Sequence, residues 1–178
     1  MKYTILILAF LIGTIPAFAQ KLIEIGKGYS STSVNTTIFR HSSLATFNDH
    51  QYTAYYDGDG YLVIGKRPLN SNRWELLRSS YKGNVADAHN VISLMVDGEG
   101  YLHVAFDHHG QPLNYCRSTA PESLTLGKKE PMTGHDEADV TYPEFYRLSN
   151  GDLLFAAADQ ALLQLDLEHL ICHGLLPP

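Results

Sequence analysis

An all-β fold of antiparallel β-propeller blades is what this sequence predicts, and three observations carry the prediction. The pattern Asp57-Gly58-Asp59-Gly60-Tyr61-Leu62 returns 40 positions later as Asp97-Gly98-Glu99-Gly100-Tyr101-Leu102. A weaker third copy, Leu148-Ser149-Asn150-Gly151-Asp152-Leu153-Leu154-Phe155, places its glycine 51 positions beyond Gly100. Each copy sits between strand-like runs, and glycine supplies the φ > 0 positions that a tight hairpin turn demands. Short strands recurring every 40–50 residues or so are the signature of propeller blades, with a generic β-sandwich as the competing architecture.

The elements follow in order. Met1-Lys2-Tyr3, the apolar run Ile5–Ile15 and Ala17-Phe18-Ala19 read as a secretory signal peptide over residues 1–19, cleaved after Ala19. The run is too short to span a bilayer, so no membrane anchor is expected and the mature chain is secreted or periplasmic. Lys21–Ile25 reads as a strand and Gly26–Thr37 as a loop rich in Gly, Ser and Thr. Leu44–Phe47 and Gln51–Tyr56 lead into the first repeat. Tyr142-Pro143-Glu144-Phe145 opens the third blade. The partial propeller thus occupies residues 20–155, about three blades, whereas propellers close rings of about four to eight. Three blades leave an unpaired edge.

From Ala156 the vocabulary changes. Residues 156–178 are rich in Ala, Leu, Gln and Glu and lack tyrosine, valine and threonine. These are helix formers, so this atypical tail reads either as a helix covering the open edge or as a frameshifted or truncated end.

Composition limits the function. The formal charge is −6, and −7 once Lys2 leaves with the signal peptide, which argues against a general nucleic-acid binder. An anionic sugar substrate stays compatible, because only the local field at the site matters. Cys116 and Cys172 could pair in an oxidising compartment, but no disulfide is predicted.

The second repeat concentrates the candidate chemistry. In Tyr101–His109 a period of two puts Leu102, Val104, Phe106 and His108 on one face and Tyr101, His103, Ala105, Asp107 and His109 on the other. An antiparallel hairpin then brings His89, at its start, beside the His108-His109 pair at its end. Histidine transfers protons near neutral pH, so two at one end of a hairpin can act as base and charge partner. The same residues also fit a purely structural reading, in which His89 caps a turn and His108-His109 are polar loop residues. A zinc site would need a further ligand such as His135, Asp136 or Cys116, and no compact ligand spacing is present. No cofactor is required for the chemistry, no catalytic metal is expected, and a structural metal is left open. Gly134-His135-Asp136-Glu137-Ala138-Asp139 reads as a solvated acidic loop.

The run from His89 through Met95-Val96-Asp97-Gly98-Glu99-Gly100-Tyr101-Leu102-His103-Val104-Ala105-Phe106-Asp107-His108-His109 to Tyr115 resembles the BNR-4 repeat family of secreted β-propellers. That family includes ulvan lyases and related polysaccharide lyases, and the resemblance covers roughly residues 35–155. It implies a seven-bladed propeller in the full family fold, with a uronate-containing polysaccharide as the anionic partner. It implies β-elimination: a base takes the C5 proton of the uronate, a cationic environment stabilises the carboxylate, and an acid assists the leaving C4 oxygen. Carried over residue by residue, His89 matches the histidine that opens the family motif and His109 the second histidine, with His108 as the other choice; the resemblance makes His89 and His109 the catalytic pair, one as base or acid and the other neutralising the carboxylate. His108, Arg40 and Asn90 are assigned to substrate binding, Arg40 for its positive charge near a strand end. The departures matter as much. Similar proteins continue the Leu153–Phe155 strand into a Tyr-Arg-x-Gly segment, whereas this chain has Ala156-Ala157-Ala158-Asp159 and no arginine thereafter. As it stands the chain is expected to lack the acid and the carboxylate-holding arginine, and to be inactive. A non-catalytic carbohydrate-binding propeller is the alternative. A sialidase-like hydrolase would need an arginine cluster and a carboxylate pair that this sequence does not assemble.

Overall fold

A computed structural model describes residues 21–38, 40–159 and 170–176. The segment 1–19, expected to be a signal peptide, and most of the tail lie outside the described residues. Eleven strands form three antiparallel sheets, and among the described residues there is no helix. The first sheet is a four-strand meander of β1 (Leu44–Phe47), β2 (His50–Tyr56), β3 (Tyr61–Pro68) and β4 (Glu75–Lys82). The second pairs β5 (Ile92–Val96), β6 (Leu102–Phe106) and β8 (Tyr115–Arg117). The third runs in the order β11 (Leu170–Leu176), β10 (Leu153–Asp159), β9 (Val140–Arg147), β7 (His109–Gln111). Between β6 and β8 the chain therefore leaves the second sheet, adds β7 to the edge of the third, and returns.

The sequence repeat is a repeated turn. Asp57 Oδ1 accepts the Asp59 and Tyr61 N–H groups, and Asp97 Oδ1 accepts those of Glu99 and Tyr101. The fourth residue, Gly60 or Gly100, takes φ +82° or +91°, conformations that disfavour a Cβ. In the third copy Leu148 has no carboxylate, and Asn150 Oδ1 takes over by accepting the Asp152 N–H. Gly151 keeps the positive φ, +96°. The two later turns touch: Gly98 N–H donates to Gly151 O at 2.9 Å.

Packing explains the burial. One core joins Tyr52, Tyr56, Leu62 and Ile64 of the first sheet to Ile92, Leu94, Val104 and Phe106 of the second. A second core joins Ala105 and Tyr115 to Phe145, Leu153, Phe155 and Ala157 of the third. The middle sheet is thus covered on both faces. All five residues of β6 are buried, so Tyr101–His109 does not alternate between core and solvent as its period of two suggests. His103 is accommodated by pairing: Nε2–H donates to Asp97 Oδ2 at 2.9 Å, and the Tyr115 O–H lies 2.7 Å from Nδ1. Burial holds His103 below the usual imidazole range against the opposing pull of Asp97. Each fully buried large apolar side chain here contributes about 1.5–3 kcal/mol.

Two expectations are corrected. Lys21–Ile25 forms no strand, and this segment meets the first sheet only by a bridge from Gly28 to Asp57. Ala156–Ala158 continues β10 instead of starting a helix, with Ala156 and Ala157 buried in strand pairing with β9. Residues 170–176 are likewise a strand, β11, antiparallel to β10. The Gly134–Asp139 loop is solvated as expected, with Gly134, His135, Asp136 and Ala138 exposed, and Glu137 closes it by accepting the Met132, Thr133 and Gly134 N–H groups. The Cys116 thiol is free and buried.

The turn contact yields the first prediction. A Cβ on Gly151 would meet Gly98 Cα at 3.1 Å in a backbone of positive φ, whereas one on Gly58 meets nothing within 4 Å. Gly151→Ala should cost about 1–3 kcal/mol in urea unfolding, and Gly58→Ala should stay within about 0.5 kcal/mol. Equal effects would mean the turns do not hold each other.

Candidate active site

Two segments meet at one end of the second and third sheets. The loop Gly83–Asn90 enters β5 and presents Asp87 and His89, while the excursion after β6 delivers His109 on β7. Asp87 joins them. Its Oδ1 accepts the His89 N–H at 2.9 Å and lies 2.7 Å from His89 Nδ1. Its Oδ2 lies 2.7 Å from His109 Nδ1. A carboxylate only accepts, so both rings present Nδ1–H to Asp87, and their Nε2 atoms are then the basic ones. The rings stack with centroids 4.3 Å apart.

Burial opposes ionisation of Asp87, but the hydrogen bonds from the His109 ring and from the His89 backbone and ring prevail. The carboxyl is drawn down to about 2. Its charge is therefore fixed at any physiological pH, and it orients both imidazoles.

Backbone irregularity shapes the surroundings. Tyr142 and Pro143 of β9 oppose the single residue Ala157 of β10, a β-bulge that accommodates a proline in an inner strand. Tyr142 sits there at φ +50° and brings its ring to 6.0 Å from that of His89. On the other side of β9, Gly110 is an extra residue between the His109–Thr141 and Gln111–Val140 pairs. Its N–H donates to Thr141 Oγ1, and its φ is +72°. Asp107 takes φ +63°, and its Oδ1 accepts the Asn84 N–H at 2.7 Å. Strained residues gathered at one place mark a position that the surrounding structure over-determines.

The structure places the predicted site residues as follows. His89 and His109 meet and are both partly exposed. His108 does not join them. It is fully buried, its Nε2 accepts the Asn114 N–H at 2.6 Å, and burial, assisted by Lys129, lowers its pKa to about 3. A neutral, enclosed imidazole is part of the wall and cannot reach a polymer. Arg40 is held by main-chain carbonyls of three segments, with Nε bound to Ile92 O, Nη1 to Asn35 O and Nη2 to Ala54 O. Burial lowers it to about 10, so it remains a cation, but one spent on stapling the first two sheets. Asn90 is 3% exposed and stands behind the pair.

Asp87, Tyr142 and Asp107 were not singled out from sequence. The Asp87-Ala88-His89 spacing holds a local signal, since an aspartate two residues before another often closes an Asx turn. Pro143 inside a strand pattern signals the bulge.

Asp87, His89 and His109 each offer a ligand atom within 4.8 Å of one another.

Asp87 also sets an acid response. Its folded pKa is lowered, so its contribution is complete above the unfolded value near 3.9 and is lost as pH falls through about 2. His108, lowered from its ordinary value, stabilises above about 6.5 and loses that contribution as pH falls toward 3. Wild type should therefore lose stability from about pH 6.5 downward, and His108→Gln should flatten the upper part of that slope. Asp87→Asn should cost about 1–2 kcal/mol at pH 7 and little near pH 2. Chemical unfolding measured across pH checks both.

Comparison with known proteins now bears on the fold and family. No curated protein matches. A crystal structure of the polysaccharide lyase Uly1 matches at 16% identity and a TM-score of 0.58, over 79% of this chain and 40% of that one. A PL25 ulvan lyase matches at 16% identity and a TM-score of 0.57, over 76% of this chain and 34% of that one. A PL25 ulvan lyase bound to -[GlcA(1-4)Rha3S]- gives the same values. This chain therefore spans between a third and two-fifths of the length of those structures, and it shares their fold over that span. The model of BNR_4, described as BNR repeat-containing family member, matches residues 50–160, and the chain belongs to that family.

Proposed function

We propose that this chain supplies the proton-transfer side of a β-eliminating site for a uronate-containing, ulvan-like polysaccharide, in a protein exported by its N-terminal signal. One observation carries this reading: two imidazoles share Asp87, which fixes both tautomers and leaves both Nε2 atoms basic. One Nε2 takes the C5 proton of the uronate, and the neighbouring ring, protonated at its own Nε2 and balanced by Asp87, meets the developing carboxylate. Asp87 stabilises whichever ring becomes charged and keeps it in place. Among the described residues no helix is long and apolar enough to cross a membrane. The family membership and the polysaccharide lyases of like fold agree with a carbohydrate polymer as substrate.

A second reading, binding without chemistry, is favoured by Arg40. This cation, expected to bind substrate, gives its donors to main-chain carbonyls, so the charge needed for the elimination step comes from elsewhere. In this reading the chain retains the polymer and does not cleave it.

The two separate in one assay. Elimination creates an unsaturated uronate that absorbs in the ultraviolet. With catalysis, His89→Ala and His109→Ala should each reduce the rate about 10²–10⁴-fold while the unfolding midpoint moves little. Retardation of the chain in a polysaccharide gel without any ultraviolet product supports the binder. Neither retardation nor product would overturn both readings.

A further inference from the structure

Behind the histidine pair lies a second feature. Asn84, Asp87, Asn90, Asp107, His109 and Gln111 line a small cavity of about 160 Å³. Its walls are rich in oxygen acceptors: two carboxylates and three carboxamides.

Asn90 decides what such a cavity wants. Its N–H donates to Asp87 O, its carbonyl accepts the Tyr56 O–H at 3.0 Å, and its Nδ2 donates to Asn84 O at 3.0 Å. The amide orientation is fixed, because Asn84 O accepts only and a flipped amide would set oxygen against oxygen. Oδ1 is then the one polar atom of Asn90 with no hydrogen bond, in a residue only 3% exposed. A buried acceptor without a donor costs about 1–3 kcal/mol unless something positive meets it. Asp107 adds charge to the wall of the same cavity. Its Oδ1 is held by the Asn84 N–H, in a backbone of φ +63° that keeps the carboxylate at this wall.

We propose that this cavity binds a hydrated divalent cation of the calcium class, held by Asn90 Oδ1 and the Asp107 carboxylate, with the Gln111 carboxamide on a further wall. Hard oxygen donors, carboxylate and amide together, select calcium over thiolate- or imidazole-seeking metals. The volume admits one ion with several retained waters, at about 30 Å³ per water. The negative charge of Asp87 is already shared by two imidazoles, so it acts on the ion through the field. The inference stands on the cavity itself. It also complements the proposed elimination, since an ion here brings positive charge next to the histidines where Arg40 does not.

The test uses the full chain and calcium chloride alone, without saccharide, by titration calorimetry and by thermal unfolding against EDTA. One saturable site should appear, with an upward shift of the unfolding midpoint on adding calcium. Asp107→Asn should weaken Kd at least tenfold, and Asn90→Leu should abolish binding. Gln111→Glu, which adds a charge on the further wall and leaves the Asn90 Nδ2 bond to Asn84 O intact, should tighten Kd. That gain separates a ligating cavity from residues needed only for folding. Absence of saturable binding to the wild type would overturn the proposal. So would binding unchanged in a folded Asn90→Leu variant, because the ion would then sit elsewhere. Neither outcome depends on whether the chain cleaves a polysaccharide.

Discussion

The carboxylate of Asp97 is the interaction on which most of this structure depends. One oxygen clasps its own turn through the Glu99 and Tyr101 N–H groups, and the other takes the Nε2–H of His103. His103 in turn meets Tyr115, and both rings lie against Phe145 of the third sheet. A single buried acid thus fixes a hairpin, ties β6 to β8, and presents a surface to the next blade. Burying a carboxylate is costly unless each oxygen is satisfied, and here both are. Replacement of Asp57 by Leu148 in the third copy shows what the turn alone requires: a positive-φ glycine and some side-chain acceptor, supplied there by Asn150.

The same device recurs at the site, with a different partner set. Asp87 also clasps a local N–H, that of His89, and reaches outward with its second oxygen. Asp97 spends its reach on a core histidine held neutral by burial, whereas Asp87 spends it on a ring at the surface. Surroundings make the difference. The middle sheet is covered on both faces and cannot expose a proton-transfer group, so the chemistry collects where the chain leaves that sheet and pairs with the next one.

Much of this was legible in the residues. The Asp-Gly-acid-Gly-Tyr-Leu repeat fixes a local turn within a few positions, and the hairpin it makes determines that His89 and His109 come together. Tyr61 and Tyr101, the residue after each turn, even share a stacking arginine, Arg78 at 3.9 Å and Arg117 at 4.9 Å. Other features depend on contacts between sheets, which a local pattern does not encode. Period two along β6 says nothing of whether the second face meets solvent or another blade. Helix propensity in Ala156–Ala158 yields to pairing with β9 on one side and β11 on the other, since burial and ladder hydrogen bonds outweigh a few tenths of a kcal/mol per residue. Arg40 looked available because it is an arginine near a strand end; three carbonyls from distant segments engage it.

The electrostatics of the site follow from those placements. An anionic polymer approaching His89 and His109 meets Asp87 and Asp107 close behind them. Asp87 is compensated by two imidazoles, one of which can carry a proton without separating from its counter-charge. Among the described residues, the hydrogen bond that the Asp107 carboxylate accepts comes from a backbone N–H. In a chain of net charge −6, that imbalance would repel a uronate held there. Under the proposed elimination, a positive group would therefore enter the site from outside this span of chain, or the proposed ion would occupy the acceptor-lined cavity next to it. In that reading the histidines move the proton in either case, and the stability of the resulting carbanion depends on which of the two supplies the charge.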